Sequence, residues 1–462
     1  MHVPVPEVVE PAASLRHVHL VGIGGAGLSA IARLLHQQGV CVSGSDQADS
    51  ALTRALCDEG ITVHIGHRAE NLGDADTVVV STAVREDNPE VVAAQAAGVR
   101  LWPRSAGLQS ILIGRRVIAV AGTHGKTTTT AMIVSGLRAA GLDPTFAIGA
   151  EVASLGTNAR LGGDDLAVIE ADESDGAFLV YTPDFGVVTN VDADHLDYWG
   201  SAQAYAEAFV RFVDGCAAGA AVGLDDEGAR ALVGRRRVVT TGFAEDADLR
   251  GTDLSADAAG TRFRVRCAGE ADLPVELAVT GRHYAQDALL ALAACRYVGA
   301  DLDGFVRGLG EHRGAKRRME YLGEAAGVQV YDSYAHHPTE IAADVAAARA
   351  IAGKRRLVVA FQPHLVSRTR IFGAEMGREL SAADEVVVAD IYLAREDPDP
   401  RVSAQLVLDA VDGPAALAGG PVEGLDALLA CIVRAGDLLV TLGAGDITAV
   451  GPRVLERLRA DA

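Results

Sequence analysis

Short apolar runs alternate along the chain with Gly-rich turns and Ala/Leu-rich stretches of helical period. That alternation predicts strand–turn–helix units and a parallel sheet, because strands buried on both faces read as continuous apolar runs. The pattern occurs in three blocks. The first, from about Leu15 to Ile113, predicts strands at His17–Val21, Val40–Ser43, Ile61–Ile65 and Thr77–Ser81, with a helix over Leu28–Gln38. The second opens at Arg116, with strands at Val117–Val120, Leu166–Ile169 and Gly186–Thr189, a helix running through Gly136 and another over Gln286–Tyr297. Within it, Arg262, Arg264 and Arg266 alternate with Phe263, Val265 and Cys267, the period of two of a half-exposed antiparallel strand. The third block starts near His312 and predicts strands at Val328–Tyr331, Leu357–Ala360, Glu385–Val388 and Leu438–Leu442, with a helix over Thr339–Ile351. The reading is an α/β chain of three domains, residues 1–114, 115–312 and 313–462, the first a doubly wound, dinucleotide-type domain.

Composition narrows the function. The 462 residues agree with three domains of roughly 150 residues each. Lys+Arg 41 against Asp+Glu 62 leaves a formal net charge of −21 with no basic block, which disfavours nucleic acid and membrane surfaces as partners. An anionic ligand must then be held by local devices: helix N-termini, a few Arg or Lys, or metal. The six cysteines (Cys41, Cys57, Cys216, Cys267, Cys295 and Cys431) show no C-x-x-C spacing, which speaks against a zinc ribbon or a disulfide framework and for a reducing cytoplasm. No secretory signal pattern opens the chain, and no run reaches the roughly 18 apolar residues of a membrane span. Lysine is scarce, standing only at Lys126, Lys316 and Lys354, so the position of each is informative.

The chemistry-bearing motifs fall at predicted strand ends. Gly22-Ile-Gly24-Gly25-Ala-Gly27 follows the first strand and opens a helix. Its glycines allow close backbone approach, and helix N–H groups meet a diphosphate. Ser43-Gly-Ser45-Asp46, at the end of the second strand, is where a ribose or base contact is expected. By itself this loop fits NAD, FAD or a UDP-sugar. Gly122-Thr123-His124-Gly125-Lys126-Thr127-Thr128 is sharper. Backbone N–H groups there cradle phosphates, Lys126 neutralises the β/γ oxygens and Thr127 offers a hydroxyl to Mg²⁺. Val120 stands where the usual G-x-x-x-x-G-K-[ST] has its first glycine, so the loop is shortened. Glu170-Ala-Asp172-Glu173-Ser-Asp175 and Asp192-Ala-Asp194-His195-Leu-Asp197 place carboxylates and one imidazole at two further strand ends, suited to Mg²⁺ or phosphate. In the third block, Tyr334, His336, His337, His364, Arg368 and Arg370 mark a ligand surface on which Arg368 or Arg370 can pair a carboxylate. Each of these has a plainer reading as a cap, a surface ion pair or a solvated turn. The same holds for Gly314-Ala-Lys316-Arg317-Arg318 and for Gly443-Ala-Gly445-Asp446.

Taken in order, GTHGKTTTT, ADESD, TNVDADHLD, YDSYAHHPTE and FQPHLVSRT resemble the Mur ligase family over nearly the whole chain. The resemblance implies an N-terminal Rossmann-like UDP-binding domain, a central P-loop ATPase-like domain that holds Mg·ATP, and a C-terminal Rossmann-like domain for the amino acid. It implies an ATP-dependent amide ligase. The lactyl carboxylate of UDP-N-acetylmuramate takes the γ-phosphoryl group, and the amine of L-alanine displaces phosphate from the acyl phosphate. The first loop, with Gly24, Gly25, Gly27, Ser29, Ser45 and Asp46, holds the UDP-sugar. Thr127 and Glu173 hold one Mg²⁺, and Glu173 with His195 a second. His336 and Arg368, with Tyr334 nearby, lie at the alanine carboxylate and the acyl phosphate, and Arg317 near the domain junction helps hold phosphate on hinge closure. Lys126, His195, His336 and Arg368 are the catalytic set. A family member that attaches a recycled tripeptide to the same UDP-sugar shares GTHGKTT and AHHPT but reads like FEPRS where this chain has FQPHLVSRT, so His364 and Arg368 favour alanine. A nicotinamide or flavin oxidoreductase does not explain the second block. A non-catalytic nucleotide-binding regulator has no need of Lys126, Glu173 and His195. The expected state is a cytoplasmic monomer or homodimer.

One departure has a consequence. The family shows G-x-H-N-x-x-N-A, with the asparagines near adenine, whereas this chain reads Gly281-Arg-His283-Tyr284-Ala-Gln-Asp287-Ala288. A carboxamide donates and accepts; an ionised Asp287 only accepts. ATP is therefore expected to be preferred over GTP by less than in a relative with both asparagines. Steady-state kcat/KM with each nucleotide checks this, and an equal or larger ATP preference contradicts it.

Overall fold

The computed structural model describes residues 3–460 except 153, 236, 395 and 414, and the side chain of Asp197 also lies outside what is described. The strands are β1 His17–Val21, β2 Cys41–Asp46, β3 Thr62–Ile65, β4 Thr77–Val80, β5 Arg100–Pro103, β6 Arg116–Ala121, β7 Thr145–Val152, β8 Thr157–Arg160, β9 Leu166–Glu170, β10 Phe185–Val188, β11 Gly219–Gly223, β12 Val238–Gly242, β13 Leu249–Asp257, β14 Gly260–Arg266, β15 Leu273–Leu277, β16 Glu320–Ala325, β17 Val328–Ser333, β18 Leu357–Phe361, β19 Glu385–Ala389, β20 Ala415–Gly420 and β21 Leu438–Leu442. The chain divides into two compact units. The first comprises Met1–Thr252, Val265–Leu273 and Gln286–His312; the second comprises Asp253–Arg264, Pro274–Ala285 and Arg313–Ala462.

In the first unit, one sheet runs β3-β2-β1-β4-β5, parallel throughout. Another carries β12-β11-β10-β6-β9-β7-β8, parallel except for the β7–β8 pair. In both, the strand order reverses beside a central strand, β1 or β6, and such a reversal opens a crevice at the strands' carboxyl ends. The Gly22–Gly27 and Gly122–Gly125 loops follow those two strands. The central strands are dry: Val18 to Val21 and Val117 to Ala121 are all buried. The two sheets of this unit are joined by polar ties. Arg33, buried on the Ala26–Gln37 helix, donates to Glu59 at 2.7 Å and to Asn158 of β8. Asn158 in turn donates to Ala26 O at 2.9 Å and to the Ser29 hydroxyl at 3.2 Å.

In the second unit the sheet runs β16-β17-β21-β18-β19-β20, with only β16 antiparallel, and buried apolar clusters cover both of its faces. Among the described residues no helix is long and apolar enough to cross a membrane.

Most apolar runs are strands within a residue or two of expectation. β5, β7, β8, β11, β12, β13, β15, β16 and β20 lie outside the predicted strands, because Trp-Pro, Gly-Ala or isolated polar residues break their apolar run. The helix expected over Gln286–Tyr297 spans Arg282–Val298, so His283 stands in its first turn.

Glu90, in the first turn of the Pro89–Ala97 helix, is fully buried. Its carboxylate accepts from Ser45 Oγ at 2.5 Å, Asn71 Nδ2 at 2.6 Å and Arg68 N at 3.3 Å, with His67 Nδ1 at 3.1 Å and His19 Nε2 at 3.8 Å. Burial opposes its charge, and the donors outweigh burial, drawing its pKa down from 4.5 to about 2. A lowered carboxylate pKa stabilises the fold above the unfolded-state value and loses that contribution as pH falls from about 4.5 toward 2. Glu90→Gln is expected to cost about 3 kcal/mol near neutrality. Denaturant titrations of both proteins should show the difference shrinking between pH 6 and pH 3; a pH-independent difference would assign the loss to packing instead of charge.

Candidate active site

The first loop leaves β1 at Gly22. Gly22 N and Ile23 N donate to Ser45 O at 2.8 and 3.0 Å, and Gly24 N donates to Asp46 Oδ2 at 2.9 Å. The helix that follows starts at Ala26 with Gly25 as its N-cap and no side-chain cap, leaving first-turn N–H groups for an anion. Ser29 and Ser45 are buried beneath the loop. Ser29 donates to Ala26 O at 2.9 Å, and Ser45 is spent on Glu90.

The second loop leaves β6 at Gly122 and enters the Lys126–Ala139 helix, which also has no side-chain cap. Gly125 has φ +82°, and a β-carbon there would lie 2.8 Å from Asp287 Oδ1, so both conformation and space demand glycine. Thr123 Oγ1 donates to Asp192 O at 2.8 Å, and His124 N donates to the Asn190 side chain at 2.8 Å, fastening the loop to the segment after β10. The Lys126 ammonium donates to Gly122 O at 2.7 Å, Thr123 O at 3.1 Å and Glu173 Oε1 at 3.0 Å. Burial would lower its pKa, but Glu173, Asp172 and Glu170 outweigh burial and hold it above the ordinary lysine range. Glu173 is fully buried, and burial pushes its carboxyl up to about 7 against the pull of Lys126. His195, in the left-handed conformation at φ 52°, brings Nε2 to 4.0 Å from Glu173 Oε1 and 3.8 Å from Asp194 Oδ2.

Two features of this half-site were not singled out from the sequence. Thr127 Oγ1 donates to Glu170 Oε2 at 3.0 Å, so the acidic partner of Thr127 is Glu170, while Glu173 partners Lys126. Arg104, at the start of its helix, donates to Asp172 Oδ2 at 2.6 Å and to both Asp175 oxygens at 3.2 and 3.3 Å; its guanidinium also flanks Gly27. Burial disfavours the Asp172 charge, but Arg104 and then Lys126 hold its carboxyl well below the usual range. The motif ADESD contains these acids, yet nothing in the sequence pairs Arg104 with a segment almost 70 positions away.

In the second unit, three strand ends supply the polar groups. After β17, His336 Nδ1 donates to Tyr334 O at 2.9 Å and lies 3.3 Å from Glu340 Oε2. Burial, with help from Arg368 and His364 and against Glu340, pushes His336 down to about 4, so its ring is neutral with Nε2 bare. After β18, Arg368 Nη1 lies 3.4 Å from His364 Nδ1, and the His364 and His336 rings are 5.8 Å apart. Arg317 lies over the Tyr334 ring at 4.9 Å. It donates to Asp332 at 3.2 Å and to Gly443 O at 2.5 Å, tying the turn after β21 to β17. The expected site residues of the third block, Arg317, Tyr334, His336 and Arg368, thus form one chain of contacts. His283 lies in the second unit and Asp287 in the first. Burial and the Arg318 charge push His283 down to about 4, and Tyr284 OH donates to Arg318 O at 3.1 Å. Asp287 is buried against Gly125 of the phosphate loop.

Known proteins match this arrangement from end to end. Residues 17–116 match the Mur ligase family catalytic domain, 120–295 the Mur ligase middle domain, and 317–445 the Mur ligase glutamate ligase domain. A UDP-N-acetylmuramate–L-alanine ligase of a Nocardioides species is 56% identical over 460 residues, covering 98% of this chain and 99% of that one. The enzyme of that name from Thermobifida fusca is 49% identical, covering 96% and 97%. The crystal structure of a UDP-N-acetylmuramate–alanine ligase from Thermotoga maritima superposes with a TM-score of 0.83 at 30% identity, covering 97% of this chain and 100% of that one. A murein peptide ligase from Psychrobacter arcticus gives 0.71 at 25%, covering 96% and 99%. With its phosphate loop, its acidic strand ends and its three-domain α/β architecture, the chain belongs to the Mur ligase family.

Proposed function

We infer that this chain is an ATP-dependent ligase that adds L-alanine to the lactyl carboxylate of UDP-N-acetylmuramate, a step of peptidoglycan precursor synthesis. The observation that carries the reading is the half-buried Lys126 ammonium in the phosphate loop, paired with the fully buried Glu173 at 3.0 Å. Its first step brings two anions together, a carboxylate and the γ-phosphate of ATP, and a fixed, desolvated cation is what lowers that barrier. The carboxylate oxygen bonds to the γ-phosphorus as the bond to ADP breaks. The alanine nitrogen then bonds to the acyl carbon, inorganic phosphate leaves, and the amine proton is lost.

Roles follow from chemistry and position. The uncapped N-terminus of the Ala26–Gln37 helix, with Gly24, Gly25 and Gly27, receives the diphosphate of the UDP-sugar. Asp46, Ser45 and Ser29 shape that loop from beneath. Gly122 to Thr128 cradle the nucleotide phosphates, and Asp287, buried against Gly125, serves the nucleotide. Arg368 is suited to the alanine carboxylate, because guanidinium matches carboxylate in a fork. His336, neutral with Nε2 bare, is suited to accept the amine proton. Tyr334 packs beside it, and Arg317 fastens the surrounding strand ends.

The central half-site fits a divalent cation. Lys126 and Arg104 are paired with Glu173, Asp172 and Asp175 of the four-carboxylate group Glu170, Asp172, Glu173 and Asp175, and burial raises the pKa of Glu173. Thr127, Glu173 and His195 would hold Mg²⁺, with Glu170 in reach of Thr127, and the bound ion would neutralise phosphate oxygens. A formal net charge of −21, and no membrane-length helix among the described residues, are in keeping with a cytoplasmic enzyme acting on small molecules. The alternative, a ligase for a recycled tripeptide, is less favoured because His364 and Arg368 stand in FQPHLVSRT.

ADP release with Mg·ATP and UDP-N-acetylmuramate, with L-alanine, glycine, L-serine, D-glutamate or a cell-wall tripeptide added singly, tests the assignment. Turnover that needs L-alanine supports it; turnover with the tripeptide alone would reassign the substrate. Lys126→Ala is expected to lower kcat by several orders of magnitude, the loss of about 3–4 kcal/mol of transition-state stabilisation. More than about a tenth of the activity remaining would remove Lys126 from that role. Arg368→Ala is expected to raise the KM for L-alanine. A raised KM for the UDP-sugar, with that for alanine unchanged, would move Arg368 to another subsite.

A further inference from the structure

The segment after β19 folds back on the segment that carries Arg368. Tyr392 N donates to Pro363 O at 2.9 Å, and Leu365 N donates to Tyr392 O at 2.9 Å, so that Tyr392 and His364 form an isolated parallel bridge. Their rings stack, 5.7 Å apart and within 15° of parallel. Further along, Glu396 accepts from Ser367 N at 2.8 Å and from the Ser367 hydroxyl at 2.5 Å, and Asp399 accepts from Arg370 at 2.6 Å. Tyr392, Glu396 and Asp399 thus grip the chain on both sides of Arg368.

What they grip is strained. Leu365 has φ +70° and ψ 137°, a conformation that a residue with a β-carbon rarely adopts. The helix starts at the next residue, so this single strained residue sets the angle at which the first helical turn, and Arg368 with it, leaves the sheet. Strain of this kind costs of order 1–3 kcal/mol and persists only where surrounding contacts over-determine it. The bonds from Tyr392 and Glu396 are those contacts. The Tyr392 ring is confined from another direction too: a β-carbon on Gly445 would lie 2.7 Å from its Cγ. The Gly443–Asp446 turn, prominent in the sequence but without a role so far, is therefore a wall behind this ring.

The stack also orients an imidazole. Arg368 can only donate, so its 3.4 Å contact with His364 Nδ1 requires that nitrogen to be bare. A ring free to rotate about its side-chain bonds would lose this contact in most orientations; a ring stacked on Tyr392 keeps it.

We propose that Tyr392, with Glu396, is a positioning residue for the amino-acid substrate: it fixes the strained Leu365 turn and the His364 ring so that the Arg368 guanidinium is pre-set for a carboxylate. It does not touch substrate. The inference rests on the reading that Arg368 receives the alanine carboxylate.

The experiment measures kcat and all three KM values for Tyr392→Ala, Tyr392→Phe, Glu396→Gln, Gly445→Ala and, as reference, Arg368→Ala, with thermal melting to show that each is folded. Tyr392→Ala is expected to raise the alanine KM about fivefold or more, with the KM values for ATP and UDP-N-acetylmuramate within about twofold of the parent. Tyr392→Phe keeps the ring and the backbone bonds and is expected to match the parent. Gly445→Ala, whose methyl group would crowd the Gln362 side chain as well as the Tyr392 ring without altering any residue of the grip, is expected to raise the alanine KM as well. If Tyr392→Ala does not fold, Glu396→Gln and Gly445→Ala carry the test. Should Arg368→Ala raise the alanine KM while the folded Tyr392, Glu396 and Gly445 variants leave it unchanged, the positioning role is overturned and the reading of Arg368 stands. Should Arg368→Ala itself leave it unchanged, that reading falls first. A Tyr392→Phe loss as large as that of Tyr392→Ala would also overturn the proposal, since it would make the hydroxyl the acting group.

Discussion

The half-buried Lys126 ammonium and the fully buried carboxylate of Glu173 meet at 3.0 Å, and the charges of the central half-site are organised around that pair. Four carboxylates gather at the ends of β9 and its following turn, and Lys126 and Arg104 are the cations that face them. Remove Lys126 and Glu173 becomes an isolated buried charge, which costs several kcal/mol or forces protonation. Remove Arg104 and Asp172 and Asp175 repel one another. The uncompensated remainder is negative, and a divalent cation carried by a nucleotide would complete it. This explains how so acidic a protein can take a polyanionic substrate. On the proposed reading, the phosphates would be received by helix N-termini, one lysine and an acidic cluster completed by a divalent cation, with no need for a basic surface.

Arg104 gives the arrangement a second consequence. It comes from the N-terminal sheet region, flanks Gly27 of the first loop, and donates to Asp172 and Asp175 in the turn after β9. The first loop and the acidic turn after β9 therefore share an electrostatic element. The Arg33–Asn158–Ser29 bonds do the same work away from the charge cluster, holding the first loop's helix against β8. The second unit has a different electrostatic character. Its His283 and His336 are half-buried and near arginines, which holds their pKa values below the ordinary histidine range. That suits a zwitterionic amino acid, which presents a carboxylate to be held and an ammonium that must lose a proton before it can attack.

The sequence by itself determined the class of fold, because buried parallel strands must be apolar on both faces and the turns between strand and helix must be glycine-rich. It also determined the chemical kinds present at each strand end: a lysine in a glycine loop, acids after β9, an imidazole after β10, and His and Arg after β17 and β18. Those positions follow from local rules of chain geometry, so they are readable along the chain. The tertiary structure decided the partnerships. Whether Thr127 pairs with Glu170 or Glu173 depends on where β9 lies beside β6. The role of Arg104 depends on contacts with residues almost 70 positions away. Ser29 and Ser45 read as ligand contacts from their motif, yet Asn158 and Glu90 claim their hydroxyls from distant elements. Tyr392 carried no signal in the sequence, and only the fold places it on His364 and beside Gly445. Residue type and backbone form are set by neighbours in the chain, whereas the pairing of charges and rings is set by packing across sheets, which local sequence does not encode.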